Sequence, residues 1–363
     1  MPVAVECRKG RGETVTVHVH DDKRALMHFG RGVFADAPIE GRTSVLFTMP
    51  EPLELISEAA RSRFSRIEIV RSMDREVVEA LAASLDPATE LCVGFGGGSA
   101  LDMAKYASWK LDVPAIMVPS ILSVDACVTA TAAVRDEGRV RYVGNVIPEG
   151  IYIDYDILQR APRRLNRAGA ADILSIHTAL FDWELSSKRT GEAFDADIAE
   201  AARDLVRGLD EHAAEIRECT EAGLRFLAEA FAIEDDLCAR HGNSRPEEGS
   251  EHFLAYVVEY RTRRSFIHGE LVGLGLVVMA GLQDNDPGAV SRTLGALGIR
   301  HDLGHLGLDV ETLRSCLDAL PAYCRMESLP YSMVNELDAS ALASIDVLAE
   351  RYLAGEGHGH VSD

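Results

Sequence analysis

Val93-Gly94-Phe95-Gly96-Gly97-Gly98-Ser99-Ala100-Leu101-Asp102-Met103-Ala104-Lys105 decides the fold of this chain. The apolar run Leu91 to Val93, which leads into it, reads as a buried strand. Three successive glycines read as a turn that side chains would block, with a positive φ expected at Gly97, and Ala100 opens a helix. A strand, a glycine turn and a helix N-terminus together present backbone N–H groups to an anion, usually a pyrophosphate. The spacing is neither GxGxxG nor a Walker loop, because Lys105 lies too far from the glycines. A plain strand-to-helix turn needs one glycine. Three of them, followed by Asp102 and Lys105, favour the phosphate cradle.

Outward from this stretch, Ser44 to Phe47, Ile67 to Val70, Ala115 to Val118 and Ile151 to Ile153 read as further strands. Pro52 to Phe64 and Arg75 to Leu85 read as helices between them. Such alternation implies a mainly parallel sheet flanked by helices. After Pro162 the strand signals nearly stop, and residues 165–355 carry long helical patterns broken at 241–249 and at Asn285-Asp286-Pro287-Gly288. The expected architecture is an α/β N-terminal domain, residues 1–163, with a dinucleotide-binding sheet, and an all-helical domain, residues 164–363, for metal and substrate. The ligand cleft is expected beyond the carboxyl ends of the strands, facing the helical half. The tail Gly355 to His360 reads as a flexible end.

Composition bounds the function. The 363 residues, 47% hydrophobic, suffice for two globular domains. No apolar run approaches the roughly 20 residues of a membrane span, and no signal peptide is read at Met1 to Ala4. Seven scattered cysteines without a CxxC read as reduced core thiols of a cytoplasmic protein. The net charge of −21 argues against nucleic acid and anionic membranes as partners. A small molecule remains, phosphorylated only if a local basic pocket receives it, and a homo-oligomer is expected.

A second constellation lies in the helical half. Ala168-Gly169-Ala170-Ala171-Asp172 opens one helix, Gly249-Ser250-Glu251-His252 another, and Ile267-His268-Gly269-Glu270 precedes an apolar third. One Asp and two His form the ligand set of an open three-ligand zinc site. The histidines are 16 residues apart, so they come from different elements or different turns. In a chain with 12 His, such spacing alone also fits histidines that are merely packed or solvated.

Gly96 to Lys105 resembles the GGGxxxDxAK signature shared by iron-dependent alcohol dehydrogenases, glycerol dehydrogenase, glycerol-1-phosphate dehydrogenase and dehydroquinate synthase. Val118-Pro119-Ser120 with Ser123-Val124-Asp125-Ala126 is similar to that superfamily's VPT…S-x-D-A/G segment, and Ala161-Pro162-Arg163-Arg164 with Ala168 to Asp172 to its AP-x-R…AG-x-GD segment. Thr178 to Leu185, the GSEH at Gly249 to His252 and the HGE at His268 to Glu270 resemble the glycerol-1-phosphate dehydrogenase branch. The matches fall in order between residues 91 and 275. The resemblance implies a dehydroquinate synthase-like fold. It places Gly96, Gly97, Gly98 and Ser99 on the cofactor pyrophosphate, with Asp102 and Lys105 bracing that helix against the loop. Ser120 and Ser123 would line the adenine and nicotinamide ends. Asp172, His252 and His268 would hold a divalent metal, zinc first, with iron or nickel as alternatives. Asp125 would hold a substrate hydroxyl. The implied activity is hydride transfer between NAD or NADP and a small polyol or polyol phosphate. A transiently NAD-using sugar-phosphate cyclase and a non-catalytic nucleotide-binding relative are the alternatives.

Departures from the superfamily pattern sharpen this reading. The position four residues after Asp172, a fourth ligand in the iron enzymes, is Ile176; His177 is one residue on, about 100° around a helix. Ser175 stands where the cyclases carry a lysine, Tyr256 where related dehydrogenases often carry a second His, and Ala171 where the AGxGD glycine falls. Phe47-Thr48-Met49-Pro50 lacks the acid that usually bonds the NAD ribose, which leaves NADP open. Arg261, Arg263 and Arg264 precede His268 and either bind a substrate phosphate or form a solvated face. His18 and His20 alternate with valines as on an exposed strand face, and His358 and His360 lack the rigidity of a metal site. His241 to Glu248 reads as a mobile lid or a simple connection, and Glu192 to Glu215 as the solvated face of a helix.

Overall fold

Strand β6 (Leu91–Gly96) is buried at every residue. That is the environment of a strand with neighbours on both sides in a parallel sheet, and it explains the apolar run Leu-Cys-Val. The computed structural model describes residues 4–6, 12–18, 24–338 and 342–354; Cys7, His20, His358 and His360 lie outside these residues. Among the described residues the other strands are β1 (Ala4–Glu6), β2 (Gly12–His18), β3 (Arg24–Gly30), β4 (Ser44–Thr48), β5 (Arg66–Ile69), β7 (Ala115–Pro119), β8 (Ala132–Asp136), β9 (Arg139–Val143) and β10 (Gly150–Asp154). Eight of them form one sheet in the order β1-β2-β3-β10-β7-β6-β4-β5. The six from β3 to β5 pair in parallel, while β1 and β2 add antiparallel at one edge.

The chain forms two compact units. The first comprises Met1–Asn166 and Cys219–Asp236; the second comprises Arg167–Glu218 and Leu237–Asp363. A cut at 163/164 does not anticipate that Cys219–Asp236 groups with the sheet. Side chains tie it there: Arg225 Nη1 meets Glu13 at 2.5 Å, Arg31 Nη2 meets Glu221 at 2.6 Å, and Gln159 Nε2 donates to the Cys219 carbonyl at 3.1 Å. Beyond Asp154 the described residues contain no strand.

Within the sheet, β4 has β5 on one side and β6 on the other, so the strand order reverses there. The carboxyl ends of β4 and β6 are in register, Thr48 opposite Phe95. A crevice at such a switch point is where open α/β sheets take their ligands. The core beneath includes Phe34, Leu46, Val93, Phe95, Ile116 and Val118.

The second unit is built around the Gly-rich helix His268–Leu282, whose residues 269–280 are all buried. A helix that is apolar all round belongs in a protein interior. Two glycines let its neighbours approach. A Cβ on Gly275 would stand 2.5 Å from the Glu251 carbonyl oxygen, and one on Gly269 would stand 1.8 Å from that of Ala168. No side chain fits at either place. The helix Ala170–Thr190 ends at Gly191 with φ 79, a left-handed cap that glycine adopts without strain.

Candidate active site

In the first unit the glycine stretch is tighter than its sequence suggests. The strand continues through Gly96 and the helix Gly98–Leu111 begins two residues later, so Gly97 alone makes the turn. The positive φ falls on Gly96 (156°); Gly97 has φ −85°. Gly97 is needed for space instead, because a Cβ there would meet Ile121 Cδ1 at 2.9 Å. Gly98 is half-buried and Ser99 exposed at the helix start, where the first amides have no partner within their own helix. Ser120 N–H donates to the Gly96 carbonyl at 2.9 Å and Leu122 N–H to Asn166 Oδ1 at 2.9 Å, which fixes the loop carrying Ser120, Ser123 and Asp125.

Lys105 and Asp102 are buried and form an ion pair at 2.8 Å. Lys105 Nζ also donates to the Thr129 carbonyl (3.1 Å), the Thr129 hydroxyl (3.1 Å) and the Thr131 carbonyl (2.5 Å). It thereby clamps the segment after Asp125 to the helix. Burial pushes the Asp102 carboxyl up and the Lys105 charge pulls it back down. Asp235 was not anticipated. It is mostly buried, its Oδ2 has no hydrogen-bond partner, and burial together with the Asp125 charge pushes its carboxyl up to about 7. Nothing in the local sequence marks it, because its neighbours come from residues 105–125.

In the second unit the structure brings Asp172, His252 and His268 together: one ligand atom from each lies within 4.8 Å of the others. His268 Nε2 is 3.5 Å from Asp172 Oδ1. Two donors on one tetrahedral zinc stand roughly 3.3–3.4 Å apart, so this pair already has the spacing of co-ligands. The rings of His252 and His268 have centroids 5.2 Å apart. Asp172 enters from the helix Ala170–Thr190, His252 from Ser250–Thr262 and His268 from the first residue of His268–Leu282.

Electrostatics at this cluster suits a cation. Burial alone would lower the His252 imidazole, yet the hydrogen bond and charge of Glu251, with Glu248 and Asp172, lift it to about 9. Three carboxylates around one imidazole make a negative pocket that a divalent ion neutralises. The donor set, one carboxylate and two imidazoles, fits zinc or a similar borderline metal.

Ile176 is buried, and His177 turns away to meet the Asn285 carbonyl at 3.0 Å, so neither joins the cluster. Ser175 Oγ meets the carbonyls of Asp172 and Glu247, both at 2.5 Å. Tyr256 hydrogen-bonds to Glu248, a partner that sequence reasoning missed. Arg261 donates to Ser315 (2.8 Å), Arg264 to the carbonyls of Gly307 (2.8 Å) and Leu306 (2.9 Å), and Arg263 lies over the Tyr260 ring. All three arginines thus make contacts within their own unit.

Residues 51–162 match the family of iron-containing alcohol dehydrogenases. The glycerol-1-phosphate dehydrogenase [NAD(P)+] of Hyperthermus butylicus is 33% identical over 246 residues, covering 68% of this chain and 70% of that protein. The enzyme of the same name from Aeropyrum pernix is 29% identical over 271 residues, covering 74% and 76%. Among solved structures, an iron-containing alcohol dehydrogenase from Corynebacterium glutamicum superposes with a TM-score of 0.69 at 16% identity, covering 93% of this chain and 97% of that one. A probable glycerol dehydrogenase from Sinorhizobium meliloti gives 0.66 at 19%, covering 88% and 95%. The chain belongs to the glycerol-1-phosphate dehydrogenase branch of the iron-containing alcohol dehydrogenase superfamily.

Proposed function

We propose that this protein is a metal-dependent, NAD(P)-linked oxidoreductase that interconverts a small polyol or polyol phosphate with its ketone or aldehyde. The observation that carries the reading is the convergence of Asp172, His252 and His268 within 4.8 Å. These three residues would hold the divalent ion, zinc first. Bound there, the ion would polarise the substrate's carbonyl oxygen or lower the pKa of its hydroxyl. Gly96, Gly97, Gly98 and Ser99 would seat the pyrophosphate of NAD or NADP, whose nicotinamide exchanges hydride with the substrate carbon. Asp125 would orient a substrate hydroxyl by accepting its hydrogen bond. Ser120 and Ser123 would line the adenine and nicotinamide ends of that cofactor. Ser175 offers no amine and its hydroxyl faces two backbone carbonyls, to which its one proton is donated, which supports net redox turnover over a cyclase reaction.

The test is NAD(P)H oxidation by the zinc-loaded protein with dihydroxyacetone and with dihydroxyacetone phosphate. Turnover with consumption of the nicotinamide absorbance supports the reading, and the ratio of the two substrates assigns the phosphate. Conversion of a sugar phosphate with no net change in that absorbance would replace it with the cyclase alternative. His268→Ala should retain NADH binding, read by fluorescence titration, and lose turnover by orders of magnitude. Undiminished turnover in that variant would remove the metal from the mechanism.

A further inference from the structure

Glu251 is wholly buried one residue before His252, and both of its oxygens are engaged. Oε1 meets His252 Nδ1 at 2.9 Å and accepts the Gly249 N–H at 2.7 Å; Oε2 accepts the Thr178 hydroxyl at 2.7 Å. Only glycine leaves room for this at 249, since a Cβ there would stand 3.0 Å from Glu251 Oε2 and 2.8 Å from Asp182 Oδ2. A buried carboxylate is tolerated when donors surround it, and here three do. Its bond to Nδ1 keeps a proton on that nitrogen, so the proton that an arriving metal displaces is the one on Nε2.

We propose that Glu251 is a positioning residue for a metal at Asp172, His252 and His268, holding His252 in the tautomer and ring orientation that make Nε2 a ligand. This rests on the metal reading of the preceding section. The helix Ala170–Thr190 supports the clamp. Ser175, Thr178 and Asp182, spaced three and four apart on one face, each grip the segment that leads into His252. Ser175 Oγ donates to the Glu247 carbonyl at 2.5 Å, Thr178 donates to Glu251, and Asp182 Oδ2 accepts the Ser250 N–H at 2.7 Å. One helix therefore supplies a ligand, Asp172, and orients the partner of another.

The test reads zinc affinity of the metal-stripped protein by competition with a chelating dye, without turnover. Glu251→Gln keeps the size of the side chain. Its amide can donate as well as accept, so Nδ1 is no longer obliged to carry the proton, and the charge behind the imidazole is lost. Zinc binding should weaken roughly 10–100-fold, as for other partners behind metal-bound histidines. Thr178→Val, which frees Oε2, should weaken it by a smaller factor. Zinc affinity within about twofold of wild type in a folded Glu251→Gln protein overturns the proposal, even if the unfolding midpoint of the metal-free form drops, because that is the signature of a purely structural carboxylate. Should Glu251→Gln fail to fold, unchanged affinity in Thr178→Val overturns it. A wild-type protein that binds no zinc defeats the metal reading itself, a distinguishable failure.

Discussion

Asp235 shows how a single residue can carry a pH dependence. Its carboxyl is held near 7 by burial and by the neighbouring charges of Asp125 and Asp236, with Lys105 opposing. Between pH 4 and 7 the folded protein therefore holds a proton that the unfolded chain has released, and stability falls as pH rises through that window. Above pH 7 the penalty is complete, at most about 4 kcal/mol at 1.4 kcal/mol per pKa unit. Asp235→Asn should unfold at a higher temperature than wild type at pH 8 and at the same temperature near pH 4. Equal midpoints at pH 8 would show that Asp235 ionises without cost. At this scale the sequence named Asp172, His252 and His268, which lie in motifs. It missed Glu251, Thr178 and Asp182, which have roles only because three helices meet there. Sequence spacing placed the positive φ at Gly97. The structure places it at Gly96, because the strand keeps its pairing with β7 through that residue, Gly96 opposite Pro119.

Between elements, glycine decides how closely helices pack. Gly275 lies in the interior of the helix His268–Leu282, where alanine would be favoured by about 1 kcal/mol on propensity alone. Its missing Cβ faces the Glu251 carbonyl oxygen at 2.5 Å, a backbone atom that cannot swing aside. Overpacking of that kind costs about 1–3 kcal/mol or more, so the packing term exceeds propensity. Gly275→Ala should lower the unfolding midpoint and, by pushing the two histidine-bearing helices apart, weaken zinc binding. A stabilised variant would mean that propensity governs. Periodicity did identify most elements. Helices end at His241 and resume at Ser250, end at Leu282 and resume at Pro287, as the breaks in pattern require. It overlooked β3, which is a strand by virtue of pairing with β2 and β10, and the β8–β9 hairpin, turned by Glu137 and Gly138 at φ 53 and 80.

For the whole molecule, ligand binding is stability. Zinc at a hundred times its dissociation constant should add about 2.7 kcal/mol to a unit that binds it only when folded. The chain has two tryptophans, Trp109 in the first unit and the buried Trp183 in the second. In a Trp109→Phe protein the emission of Trp183 reports the unit that carries Asp172, His252 and His268. Zinc should raise that transition by several degrees and a chelator should reverse the shift; an unmoved midpoint would count against the site. By itself the sequence determined the α/β-then-helical order, the glycine turn and the three ligand candidates. These are local matters, set by hydrophobic period, turn chemistry and motif. Only the tertiary structure decided that Cys219–Asp236 joins the first unit, that Gly269 and Gly275 are spacers, and that Glu251 stands behind His252. Those facts depend on which backbone lies opposite which side chain across tens to hundreds of residues, and close packing leaves no trace of that in a linear pattern.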